Sequence, residues 1–319
     1  KITSKIQIKD KMKSKQNQII NIIFNQNGIK TYSNYLEIRR SLYKFCISSD
    51  INELFFLVNK KVENDGLLYS IDQKDKTACL LSYVSKKSDV IIPRSIIHDS
   101  KEYFIISIKK SPFEMERLNS IKFSENSELQ LIEKMSFFNS SVVHLVLPAS
   151  VTVIEKKAFI YAEKLTTIEF PENSQLRTIG SFAFKYSGIK KIKIPSKVIR
   201  IEEETFFCNH LQEVEFAENS ELEYIGPRSF RNSLIEKIII PSSVKEISED
   251  AFFLSKHLKI IEFSNSKSNL KIIKNNAFCS TKLNSLSIPS CVEHFDDNWC
   301  IGIENLVNFT IIDCDVKNV

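Results

Sequence analysis

His294-Phe295-Asp296-Asp297 sets an imidazole beside two carboxylates in one short turn. Such a grouping can serve as a general base, but it then needs a nucleophile to activate. The sequence offers none in a recognisable pattern, so a catalytic role has no support. His210 and His257 are the next candidates, as metal ligands. Each stands immediately before the first aliphatic residue of a repeated unit, two units apart. Parallel strands spaced about 4.8 Å apart would hold them roughly 10 Å from each other. An ion held at about 2 Å from each ligand cannot bridge that gap. The seven cysteines (Cys46, Cys79, Cys208, Cys279, Cys291, Cys300 and Cys314) are odd in number and widely spaced, with no C-x-x-C pair. They read as free thiols acting as small buried hydrophobes rather than as a zinc site or disulfide scaffold. The six glycines form neither G-x-G-x-x-G nor G-x-x-x-x-G-K, so no glycine-rich phosphate loop is expected. No cofactor is expected. Asn139-Ser140-Ser141 and Asn308-Phe309-Thr310 match the N-glycosylation pattern, at a frequency close to chance in a chain so rich in Asn and Ser.

The elements that carry these residues repeat. AENSELEYIGPRSF at 217–230 returns as SENSELQLIEKMSF at 124–137 and as PENSQLRTIGSFAF at 171–184. Units begin at Leu118, Val142, Leu165, Ile189, Leu211, Ile235, Leu258 and Leu283, with a closing strand from Leu306. The steps are 24, 23, 24, 22, 24, 23, 25 and 23 residues, too regular for a single-copy chemical motif. Each unit reads aliphatic-x-x-aliphatic-x-aliphatic, a turn, an aliphatic, then a small residue followed by an aromatic.

Two versions alternate. One carries Pro-x-x-Val after the strand (Pro148/Val151, Pro195/Val198, Pro241/Val244, Pro289/Val292), and the other a longer E-N-S turn. The full repeat is therefore a pair. Period-two alternation predicts a short strand with one buried face, and proline just beyond stops it from lengthening. A lone unit cannot bury its hydrophobic face, so neighbours must stack into a solenoid with one continuous core. The small-aromatic step places Phe137, Phe159, Phe184, Phe206, Phe230, Phe252 and Phe278 in a core row that Phe113 opens and Trp299 closes.

LxxIxIPxSVxxIxxxAF alternating with IxFxENSxLxxIxxxAF resembles the BspA-like, or Treponema pallidum-type, leucine-rich repeats over roughly residues 67 to 312; IPSSVKEISEDAF and FPENSQLRTIGSFAF carry the likeness. The last unit departs from it, with Asn298-Trp299 in place of Ala-Phe. The fold class implied by the resemblance is α/β: a right-handed leucine-rich-repeat solenoid with short parallel strands on its concave face and short helical turns on its convex face. The resemblance also implies a non-enzymatic protein-binding or adhesion module, at a cell surface or secreted, whose partner is a host cell-surface or extracellular-matrix protein. The alternative is a cytoplasmic interaction scaffold or the sensor region of a larger signalling protein, towards which the unpaired cysteines lean.

Residues 1–62 read as a basic helical segment, 63–89 as a β-hairpin cap and 90–319 as the repeat domain. Tyr35, Ile38, Leu42, Phe45 and Cys46 fall on one helical face, and Asp50-Ile51-Asn52-Glu53 has capping-box form. Strands Leu67 to Ile71 and Ala78 to Val84, joined by DQKDK, would cover the first open edge of the solenoid. Trp299 and Phe309 to Ile312 would form the lid at the far end.

Residues 1–61 hold twelve Lys/Arg against four Asp/Glu, a balance of +8 that leaves −3 for the rest. No aromatic or Gly/Arg interleaving accompanies that charge, so it reads as a solvated face rather than a nucleic-acid site. No apolar run approaches the ~20 residues of a membrane helix. No signal peptide is visible, and the chain opens on Lys1. On the strand face the outward positions alternate in sign. Thr167, Glu169, Lys191, Lys193, Glu213, Glu215, Lys237 and Glu262 are the candidate binding residues, with Lys191, Lys193, Glu213 and Glu215 at the centre. Such a zwitterionic ladder can be purely structural, its neighbours attracting along the stack, or a polar recognition surface; as a surface it suits a protein partner and not a nucleic acid.

Overall fold

The computed structural model describes residues 60–314, apart from Lys86, residues 114–117, Asn209 and residues 265–266. The chain divides into two compact units, Lys1–Lys60 and Lys61–Val319, and the described residues belong to the second apart from Lys60.

The N-terminal end of this unit is a set of longer strands: β1 (Lys60–Asn64), β2 (Leu67–Asp72), β3 (Thr77–Tyr83), β4 (Asp89–Ile92), β5 (Ser95–His98) and β6 (Lys101–Ile108). β2 and β3 form the expected antiparallel hairpin, and β3 then pairs parallel with β6. A second hairpin, β5 with β6, is not evident from the sequence. Leu67, Tyr69, Ile71, Leu80 and Tyr103 are buried there and continue the core of the repeats.

Beyond β6 every coil contributes two strands. The first lies on what we call the strand face: β7 (Ser120–Phe123), β9 (His144–Val146), β11 (Thr167–Glu169), β13 (Lys191–Ile194), β15 (Glu213–Phe216), β17 (Lys237–Ile240), β19 (Ile260–Phe263), β21 (Ser285–Pro289) and β23 (Asn308–Ile312). The second is only two residues long: β8 (Leu131–Ile132), β10 (Val153–Ile154), β12 (Thr178–Ile179), β14 (Arg200–Ile201), β16 (Tyr224–Ile225), β18 (Glu246–Ile247), β20 (Ile272–Ile273) and β22 (His294–Phe295). These short strands pair in parallel from β6 through β22 as one unbroken ladder. Most put one aliphatic, such as Ile154, Ile201 or Ile247, fully into the core.

The third side of each coil corrects the sequence reading. Helical turns are expected there, yet the described residues contain no helix. The reason is a repeated left-handed conformation two residues before the core phenylalanine: Met135, Lys157, Phe182, Glu204, Arg228, Asp250 and Asn276 all have φ between 50° and 63°. Left-handed residues interrupt an α-helix. The N–H groups of Lys157, Phe182, Glu204, Arg228 and Asp250, and those of the phenylalanines, point along the solenoid instead. Lys157 N donates to Ser181 O at 3.0 Å, and Phe159 N donates to Ala183 O at 2.8 Å. The intervening N–H groups close turns within the coil, as Ala158 N does to Glu155 O at 3.2 Å. The backbone is thus satisfied between coils, and the small residue before each phenylalanine (Ala158, Ala183, Ala251, Ala277) is fully buried against the neighbouring turn. The basic helical segment expected over residues 1–62 lies outside the described residues, except that Lys60–Val62 belong to β1.

The phenylalanine row forms as expected. From Phe113 to Phe278 the rings stack at centroid separations of 4.7 to 5.7 Å, and Trp299 meets Phe278 edge-on at 6.1 Å. The far end is less closed than the sequence suggests. β23 pairs with β21, yet Val307, Phe309 and Ile311 on that end are exposed, so the lid leaves apolar surface in solvent.

Candidate functional site

The strand face is not one continuous sheet. β4 pairs with β7, β9 with β11, β13 with β15, β17 with β19 and β21 with β23, each over three to five register positions. The first four of these step from a proline coil to an E-N-S coil, and the last from a proline coil to the closing strand. The opposite step is thin: β11 meets β13 at one position and β19 meets β21 at two. β7 and β9, and β15 and β17, fall into separate sheets. The E-N-S coils carry a half-buried phenylalanine at or just past the end of the strand (Phe123, Phe170, Phe216, Phe263), whereas the equivalent residues of the proline coils, Leu147, Ile194, Ile240 and Ile288, are buried.

Where the sheet parts, grooves open. The one between β15 and β17 has a volume of about 810 Å³, with Glu213 and Glu215 on one wall, Lys237 and Ile239 on the other, and Val214 and Phe216 also lining it. The one between β7 and β9 measures about 660 Å³ and is lined by Lys122, Phe123, His144, Val146 and Pro148 among others.

The eight candidate residues all lie on this face, and the structure sorts them. Glu169, Lys191, Lys193, Glu215, Lys237 and Glu262 are exposed, while Thr167 and Glu213 are half-exposed. Lys191 and Lys193 stand in register with Glu213 and Glu215. Lys191 is ion-paired to Glu213, and Lys237 reaches Glu262 diagonally at 2.7 Å. The hydrogen bond between Lys191 and Glu213 raises the ammonium pKa and lowers that of the carboxyl. The alternating charges therefore attract within the β13–β15 and β17–β19 blocks. Between the β15 and β17 blocks the groove intervenes, so Glu213 and Glu215 form one wall and Lys237 part of the other.

The other sequence candidates stay apart from this face's centre. His294 in β22 and Asp296 just after it are in contact at 2.9 Å, at the surface. His98 and Asp99 form a second such pair, at 3.2 Å, which the sequence does not single out. No group of three His, Cys, Asp or Glu among the described residues is arranged to hold a metal ion. No helix among them is long and apolar enough to cross a membrane.

The repeat region matches the family described as BspA type leucine rich repeat region, over residues 92–207, 130–259 and 177–307. The chain belongs to the BspA-type leucine-rich-repeat family. Among solved structures, the pneumococcal vaccine antigen PcpA is 18% identical, covering 79% of this chain and 82% of that one, with a TM-score of 0.45. The leucine-rich-repeat protein of T. pallidum is 17% identical, covering 69% and 89%, with a TM-score of 0.44. One from Eubacterium ventriosum is 18% identical, covering 68% and 60%, with a TM-score of 0.43. No curated protein sequence matches the chain.

The turn side of these BspA-type coils carries a second cluster that sequence reasoning missed. Tyr161 and Tyr186 stack at 5.2 Å, and Phe207 meets Tyr186 edge-on at 5.5 Å. The Lys185 ammonium lies 5.0 Å from the centroids of both Tyr186 and Phe207. Beneath it, Glu204 takes ion pairs from Lys185 and, at 3.0 Å, from Arg228, which also contacts Glu203. Burial pushes the Glu204 carboxyl pKa up, but the two cations outweigh it and hold it below the usual range. The signals available were the doubled aromatics Phe206-Phe207 and Phe252-Phe253 and the tyrosines at one repeat position.

Proposed function

We propose that this chain is a non-enzymatic protein-binding module acting in adhesion at a cell surface, and that it recognises a host-cell or matrix protein through the strand face. The observation that carries the reading is the groove between β15 and β17. It is open, partly apolar, and walled by carboxylates on one side and by Lys237 with the exposed Ile239 on the other. Walls of opposite charge around an apolar patch suit a protein surface of complementary pattern. A nucleic acid would want a uniformly positive stripe, and Glu213 and Glu215 oppose it. Membership of the BspA-type family supports the surface assignment and the adhesive role.

Two measurements test this. Protease shaving of intact cells should remove the repeats before lysis. Full protection, with a surface control digested, would place the chain inside the cell and favour an interaction scaffold. Binding of the purified chain to immobilised matrix proteins and to host cells should weaken on charge reversal by Lys193→Glu and by Glu215→Lys, each made separately. Unchanged binding in both variants would remove these residues from the interface.

A further inference from the structure

Six described cysteines carry no disulfide: Cys208 and Cys279 are buried as expected, while Cys79, Cys291, Cys300 and Cys314 are half-buried. Cys46 lies outside the described residues. Two of the six are placed differently from the others. Cys291 follows β21 and Cys314 follows β23, and the parallel register of these strands runs as far as Pro289 opposite Ile312. Two more residues along each chain bring Cys291 opposite Cys314. The backbones stay in step over that stretch, because Ser290 N donates to Ile312 O at 2.7 Å and Cys314 N donates to Ser290 Oγ at 3.0 Å. The two sulfurs are 3.0 Å apart. Parallel neighbours about 4.8 Å apart fall inside the Cα separation of roughly 4.4–6.8 Å that a disulfide spans.

The two thiols differ in character. Burial and the contact with Cys314 push the Cys291 thiol up to about 11. Burial also acts against Cys314, but hydrogen bonds with Cys291 and Ser290 outweigh it and hold that thiol below its ordinary range. The Lys271 ammonium, paired to Glu293, stands close enough to feel both sulfurs. A lowered thiol beside a cation is the attacking partner in thiol–disulfide exchange. Cys279, by contrast, donates its thiol to Asn298 O at 2.8 Å.

We propose that Cys291 and Cys314 are a redox pair whose disulfide fastens β23, the last described strand, to the solenoid. The oxidant is a low-molecular-weight disulfide. The Cys314 thiolate attacks one of its sulfurs, forming a mixed disulfide and releasing one small thiol. The Cys291 thiolate then attacks Cys314 Sγ and releases the second small thiol. Two protein thiols are oxidised by two electrons, one small disulfide is reduced to two thiols, and the two protons leave on those thiols. The bond lies beside the last described strand, where apolar residues face solvent, and it ties down the strand that carries Phe309 and Ile311. The inference stands on this geometry and not on the adhesive reading.

The test is to incubate the full chain with oxidised glutathione, alkylate the remaining thiols and map the linkage by mass spectrometry. Cys291, Cys300 and Cys314 share one tryptic peptide, so cleavage after Glu293 and Glu304 is needed to separate them. The expected result is a peptide pair linked through Cys291 and Cys314, about 2 Da lighter than the reduced pair, with Cys300 alkylated. Proteolysis around β23 should slow on oxidation and return to the original rate with reductant. Cys300→Ser should leave both results unchanged, and Cys314→Ser should abolish both. Alkylation of Cys291 and Cys314 to completion in the oxidised wild-type chain would overturn the proposal without any variant. So would a linkage that runs to Cys300 instead.

Discussion

Lys191–Glu213 on the strand face and Lys185–Glu204 on the turn side are the same pair of side chains in different surroundings. The first is open to water, with side chains 69% and 43% exposed. The second is 20% and 14% exposed, roofed by Tyr186 and Phe207, and its carboxylate serves a second cation from the next coil. Water and salt screen the first pair, so it holds little of the fold and either member can exchange its partner for another protein's charge. The second ties three successive coils through Lys185, Glu204 and Arg228, and removing one member strands the others in a half-dry site. The same ion pair is thus loose and open to solvent on one side of the solenoid and cohesive on the other, and burial decides which.

The phenylalanine row underlies both sides and provides the largest expected effect. Phe184 stacks on Phe159 at 5.0 Å and on Phe206 at 5.4 Å and is fully buried. Phe184→Ala should cost about 3–5 kcal/mol in denaturant unfolding. A loss that small surface changes could match would mean the coils are not held by this row. Next comes Glu204→Gln, expected to cost about 1–3 kcal/mol because it leaves Lys185 and Arg228 without their shared anion. Its pH dependence has a definite sign. The folded carboxyl holds its proton less tightly than the unfolded one, so as pH falls the unfolded chain is protonated first and stability declines. The wild-type advantage over Glu204→Gln should be complete above the ordinary carboxylate range and shrink as pH falls below it. An advantage that persists undiminished through that range would show the cost to be one of packing, not charge.

Glu213→Gln should fall at the other end, shifting the melting temperature by no more than about 1 °C. A shift as large as that of Glu204→Gln would erase the distinction between the two faces. Ile239→Ser should likewise leave stability near wild type, since that side chain is 46% exposed, while weakening capture of the partner in a binding assay. Loss of stability with intact binding would make Ile239 part of the fold and not of the groove.

The coil count, the core row from Phe113 to Trp299 and the β2–β3 hairpin were legible because each writes a period or a turn into residue types. The left-handed positions two residues before the core phenylalanines were not. They are occupied by Met135, Lys157, Phe182, Glu204, Arg228, Asp250 and Asn276, a set with no glycine and a single asparagine, the residues that usually mark such a backbone. Hydrogen bonds to the next coil impose that conformation, and they exist only once the coils stack. The two-residue strands hid for a similar reason, being too short to show alternation. The outward charges of the strand face could be picked from spacing alone. The grooves could not, because they arise from how strongly neighbouring strands pair.

That alternation of full and thin pairing sets the increment by which such an array can grow or shrink. Excising residues 189–234 would remove β13 and β15 together and bring an E-N-S coil against a proline coil, a junction the molecule already contains. Excising 189–210 alone would press two E-N-S coils together, Phe170 against Phe216, with no proline strand between them. Lengths that differ by two coils are therefore accessible by simple duplication or deletion within one chain. Excising or inserting a single internal coil requires a junction between like coils, which the described solenoid never uses.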